Sequence, residues 1–122
     1  MATNFEQDGK VIDFANSGTA ISSGSVVVVG ATLGVALVDI AATTGTGAVS
    51  IDGVFNVPKV SAAVIAQGER LSWDASASAF DDDAATAATG DVTGESAMAF
   101  ESAGNGVTTI AVKFTGVPGA VT

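Results

Sequence analysis

Thirteen carboxylates and four cations are almost the whole ionisable inventory of this 122-residue chain, which has no histidine, cysteine or tyrosine. Nucleophilic triads and the commonest metal ligands are therefore missing, and carboxylates, three lysines and hydroxyls are what remains for catalysis. The one dense cluster is FDDDAATAATGD, residues 80–91, where Asp81, Asp83 and Asp91 are the candidate ligands of a divalent cation. Their spacing lacks the alternating ligands, central glycine and closing glutamate of a calcium loop, which favours a solvated loop tip. Asp81 and Asp83 with Glu95 or Glu101 are the carboxylates a hydrolase reading would use. Such sites sit in aromatic-lined clefts, and six phenylalanines and one tryptophan barely suffice for a core. Lys10 follows a glycine but precedes a valine, so no phosphate-binding loop forms there. GTGAVS (45–50) lacks the third glycine of a dinucleotide fingerprint. These residues point away from an enzyme and call for no cofactor.

The elements that would have to position any site are small, β-branched and punctuated by fifteen glycines, a composition that favours sheets and tight turns. Charged residues are 14 % of the chain, against about 25 % in an average soluble domain. So few surface charges imply that part of the surface is covered by a partner, most simply another copy. The net charge of −9 opposes binding to nucleic acid or to an anionic membrane, both of which need cations. The opening MATNFEQDGK has no basic region followed by an apolar run, so no secretory signal is expected. The longest apolar run, residues 26–42, is short for a membrane helix and contains Asp39, two glycines and four consecutive valines. It reads as two buried strands joined near Gly30 to Gly34.

Further strands are expected at KVIDF (10–14), AVSIDGVF (48–55, with a bulge at Gly53), RLSW (70–73), SAMAFE (96–101) and VTTIAVKF (107–114). Trp73 alternates with Leu71 and is expected in the core. SAAVIAQG (61–68) is the candidate for one helical turn, with Ser61 as cap and Gly68 as stop. AISSGSVVVVG (20–30) aligns with VIAQGERLSWD (64–74) at an offset of 44, and GAVSIDGVF (47–55) with GVTTIAVKF (106–114) at 59. The expectation is an all-β fold, a small antiparallel β-barrel or β-sandwich from two related β-units with at most short helical turns. Residues 1–9 read as an N-terminal arm, 10–114 as a single β domain and 115–122 as a C-terminal tail.

SIDGVFNVPKV (50–60) places a proline and a rare cation inside the most strand-like stretch. Proline has no backbone donor, so Pro58 marks an edge strand or a strand end, and Lys59 beside it discourages indiscriminate edge pairing.

MATNF, VIDFANSGTAISSGSVVVVG, GVALVDIA, GVFNVPKV, AAVIAQGERLSWD and GNGVTTIAVKF, in this order and spacing, resemble the capsid cement or decoration proteins of tailed bacteriophages from Ala2 to about Phe114. The resemblance implies a non-catalytic all-β virion protein on the outer surface of an assembled capsid, made in the bacterial host cytoplasm. Its partners would be the major capsid protein and further copies of itself, a trimer favoured over a dimer. With that resemblance, Val54, Phe55, Val57, Pro58 and Lys59 become candidates for an oligomer or capsid interface, the edge being reserved for a sister subunit. Phe5, an isolated aromatic in the polar arm, is a further candidate as an anchor that orders on the capsid. The rival readings are a small carbohydrate- or protein-binding β module, which would need exposed aromatics, and the carboxylate hydrolase above.

Overall fold

In a computed structural model, which describes residues 9–122, the chain folds into eleven strands and, among those residues, no helix. Val11–Ala15 (β1), Val26–Val29 (β2), Thr32–Ala36 (β3) and Thr46–Ser50 (β4) form an antiparallel sheet in the order β1-β4-β3-β2. Asp52–Pro58 (β5), Ser72–Asp74 (β6), Ala79–Asp81 (β7), Val92–Thr93 (β8), Ala97–Ala99 (β9), Thr109–Thr115 (β10) and Ala120–Val121 (β11) follow. They make a three-stranded sheet, β5-β10-β9, and a four-stranded one, β11-β8-β6-β7. Leu71 N donates to Ala97 O and Ala99 N to Glu69 O, so the segment entering β6 continues the pairing beyond β9. At the far side Val60 N donates to Phe80 O, linking β7 to the end of β5. The two sheets thus curl into one barrel-like wall.

The chain is two copies of one unit. Ile12 faces Val49 and Phe14 faces Gly47 in β1-β4, as Phe55 faces Val112 and Val57 faces Ile110 in β5-β10. Ala36 pairs with Val49 as Ala99 pairs with Val112. Gly24 N donates to Ala36 O as Gly68 N does to Ala99 O, at φ of 88° and 85°. Asn16 N bonds Gly45 O as Lys59 N bonds Thr108 O, and Thr43 N bonds Gly18 O as Gly106 N bonds Ser61 O. The first strand repeats at an offset of 43, the second at 44, and the last two at 63. The expected match of residues 47–55 with 106–114 at 59 is therefore out of register. Its physical cause is a break at Ile51: AVSIDGVF is the end of β4 and the start of β5, with Gly53 at φ 116° as the second residue of β5. Residues 61–68 form turns and an isolated bridge rather than a helical turn.

Besides one residue between their first and second strands, the units differ in one large insertion. In the first, β2 and β3 are joined by Gly30 and Ala31, with Gly30 at φ 63° as a two-residue hairpin turn requires. In the second, residues 75–96 stand in that place and supply β7 and β8. Strand β3 is buried on both faces. Leu33 and Val35 join the larger core with Val57, Ile65, Leu71, Trp73, Phe80, Ile110 and Phe114. Ala36 joins Val27, Ile40 and Val49 in a smaller one. Phe55, Phe114, Phe80 and Trp73 stack edge to face in series, with centroids 5.9, 5.9 and 5.0 Å apart. Each such pair contributes about 0.5–1.5 kcal/mol beyond its buried area.

Candidate assembly surface

Strand β5 is the edge of its three-stranded sheet, as Pro58 implies, and its side chains alternate. Val54, Asn56 and Pro58 are exposed, whereas Phe55 is half-buried on Phe114 and Val57 is buried. Val54 and Pro58 are thus the interface candidates with an open face; Val57 is committed to the core. Phe5 lies outside the described residues. At the strand's start, Asp52 is ion-paired with Lys113 of β10. The hydrogen bond from the Lys113 amino group holds the Asp52 carboxyl below its ordinary value.

Lys59 is the clearest correction. It is 3 % exposed, and its Nζ donates to the carbonyls of Val60 (2.8 Å), Ser61 (3.3 Å), Gly104 (3.1 Å) and Val107 (3.0 Å). An edge cation facing a sister subunit is not what the fold contains. Alternation along β5 turns position 59 inward, where three N–H bonds are shared among carbonyls from two loops. Those loops, residues 60–66 and 100–107, are further tied by Gly106 N to Ser61 O and by the reciprocal Ile65–Ala103 bonds. Lys59 is therefore an internal clamp, and its carbonyl cage satisfies polar groups that would otherwise be costly to bury.

On the outer side of the clamped loops, Val64 (65 %), Phe100 (51 %) and Val107 (41 %) are exposed, and Glu101 is the one charged side chain of the two loops that lies outside. Glu101 is itself engaged, its Oε1 accepting from Ala111 N. The first unit has a counterpart end. There Asn16 Nδ2 donates to Thr19 O and Ala41 O, Asn16 Oδ1 accepts from Gly18 N, and Leu37 and Val38 are exposed. Phe100 occupies the position of Leu37: both amides bond the neighbouring strand, at Ala111 O and Ala48 O. None of these apolar residues stood out in the sequence. Only the offset of 63 pairs them, and the insertion hides it.

The acidic residues are not brought together. Asp91 is buried and braces its own loop, accepting from Ala75 N (3.0 Å) and Ala88 N (2.9 Å). Asp83 meets Arg70 at 3.4 Å on the surface, and Asp81 accepts from Asp82 N. Among the described residues no group of three acidic side chains is placed to hold a metal. Asp74 accepts from the Ser76 hydroxyl and from Ala77 N, bonds that lower its pKa and fix the β6–β7 turn. A cleft of about 410 Å³ lies between Ser23, Ser25 and Val26 on one side and Pro58, Trp73 and Ser78 on the other. No charged side chain lines it. Trp73 is 7 % exposed and stacked on Phe80, a core residue as its spacing implies.

No curated protein matches the chain. A family model described as phage cement protein matches residues 6–114. That span takes in both units and their clamps, and the chain belongs to the phage cement protein family.

Proposed function

We propose that the protein binds the outer surface of an assembled phage capsid as a homotrimer and stabilises the shell without catalysis. On this reading it is made in the host cytoplasm, and residues 1–9, 10–114 and 115–122 act as arm, body and tail. The tail is engaged within its own chain at least in part, since β11 pairs with β8 and Gly119 N donates to Ala31 O.

The observation that carries the reading is that Val64, Phe100 and Val107 are exposed on two loops that Lys59 and main-chain bonds tie together. A cement needs a preformed, nearly uncharged face, because ordering a loose loop on contact subtracts from affinity. Three modest contacts on one trimer act at high effective concentration, which makes release slow.

Co-sedimentation with purified capsids tests it. The protein is expected to pellet with expanded shells and not with unexpanded precursors. Phe100→Asp should reduce pelleting at least about tenfold, the effect of losing one buried aromatic contact, with the unfolding midpoint unchanged. Failure of the native protein to pellet with expanded shells would overturn the reading.

A further inference from the structure

The second unit is complete and the first is not. In the second, β7 lies on the outer edge of β6, with Ser72 opposite Asp81 and Trp73 opposite Phe80. Phe80 is wholly buried and seals the core beneath it. The first unit has no such strand among the described residues, and β2 ends its sheet. Ala36 N donates to Ser25 O, so the alternation turns Val27 and Val29 toward β3 and leaves the N–H and C=O groups of Val26 and Val28 facing outward. Val28 is the counterpart of Ser72, whose outward groups are paired with β7.

The core beneath this vacant edge is correspondingly open. Ile12, Phe14, Ile21, Val29 and Ile51 are only partly buried around the smaller cluster. Four of their five counterparts, Val57, Ile65, Trp73 and Phe114, are buried. What is missing is an added strand carrying one large apolar side chain toward that cluster.

The chain contains a second segment of that kind. Residues 2–8, ATNFEQD, match residues 77–83, ASAFDDD, which contain β7: alanine, phenylalanine and the final aspartate are identical, Thr3 stands for Ser78 and Glu6 for Asp81. We infer that residues 2–8 of one copy add as an antiparallel strand to the outer edge of β2 in a neighbouring copy, with Phe5 taking the place of Phe80. This rests on the self-association proposed above and deepens it. In the register of β7 on β6, Phe5 stands opposite Val29 and Glu6 opposite Val28. Main-chain bonds supply the affinity and Phe5 the register, as in other strand additions at a sheet edge.

A chain cannot complete itself in this way. Its arm leaves from β1, at the opposite edge of the same sheet. Four strand spacings separate β1 from a strand added beyond β2, about 19 Å. The five residues from Lys10 to Phe5 span at most about 18 Å when fully extended, and they would have to cross the side chains of the sheet face. The donor is a second copy.

With no native cysteine, disulfide trapping is clean. Glu6→Cys and Val28→Cys single variants of the full-length protein are mixed and oxidised, and mass per particle is measured alongside. A Glu6–Val28 pair in this register has Cα atoms about 5.5 Å apart, within disulfide range. The expected result is a cross-linked dimer joining the two variants, absent when either is oxidised alone. In the double variant, a disulfide closing within one chain would overturn the inference. No cross-link in particles that remain oligomeric would also overturn it, leaving self-association intact; a monomer at all concentrations would remove self-association as well. Phe5→Ala supplies a second reading without cysteine. It should raise the concentration at which the oligomer dissociates about 100-fold, by the cost of an aromatic truncated from a buried site, without changing the fold.

Discussion

Asn16 and Lys59 stand at the same place in two copies of one unit and solve the same problem with different chemistry. Asn16 makes three bonds inside a short loop and back to Ala41. Lys59 reaches four carbonyls on two loops, Gly104 among them, which is the counterpart of Ala41. The copies also exchange volume. Where the first packs Ile40 over Gly47, the second has Ala103 and Ile110 at the equivalent positions, both in the larger core. A Cβ on Gly47 would lie 2.6 Å from Ile40 Cγ1, so a larger residue there requires Ile40 to shift or shrink. The lesson is that topology and register are shared while packing is solved locally, and that the second copy is finished by an insertion the first lacks.

The largest effect should come from breaking the clamps. Lys59→Met leaves several carbonyls without a donor, at about 1–3 kcal/mol for each that water cannot reach, and is expected to cost about 3–5 kcal/mol. Asn16→Ala should cost about 1–3 kcal/mol, and urea unfolding of the two variants compares them directly. Lys59→Glu should prevent folding rather than merely weaken an oligomer, visible as loss of the strand signal in circular dichroism. Next come the two aromatics. Phe80→Ala is expected to cost about 3–5 kcal/mol, and Phe14→Ala, at the half-open edge, less than half as much. Equal costs would show that the first core is as well sealed as the second.

The volume exchange is sharper still as a double-mutant cycle. Gly47→Ile alone should destabilise, and adding Ile40→Ala should recover about 1–3 kcal/mol of coupling. Additivity would mean that the two sites are not equivalent after all. The smallest effect concerns acid. The Asp52 and Asp74 carboxyls both lie below the ordinary value of 3.8, through Lys113 and through the Ser76 hydroxyl. Unfolded, these groups take up protons first as pH falls. Stability from them is thus complete above the ordinary carboxylate range and declines as pH drops through and below it. Asp52→Asn should flatten that acid limb in pH-dependent urea titrations.

Much of this was legible in the residues. The apolar run 26–42 located β2 and β3, alternation located β10, and the offset of 44 paired Ile21 with Ile65 and Gly24 with Gly68, which are structural equivalents. What was not legible has physical causes. Strands β7, β8 and β11 are two or three residues long, too short to show a period. The fate of Lys59 depends on loops 45 and 48 residues away, at Gly104 and Val107, and no local pattern reports them. A proline beside a lysine looks like an edge device, yet the same alternation that exposes Pro58 buries its neighbour. The exposure of Val64 and Phe100 was hidden because small and apolar residues look alike in core and interface.

Amide hydrogen exchange at two equivalent positions tests the comparison most directly. Ser72 N–H is covered by β7, and Val28 N–H faces the vacant edge. In dilute protein without its arm, Val28 should exchange orders of magnitude faster than Ser72, and in the assembled full-length protein Val28 should become protected to a similar degree. Val28 remaining unprotected in the assembled state, or already matching Ser72 without the arm, would contradict the claim that one unit is completed from within and the other from a neighbour.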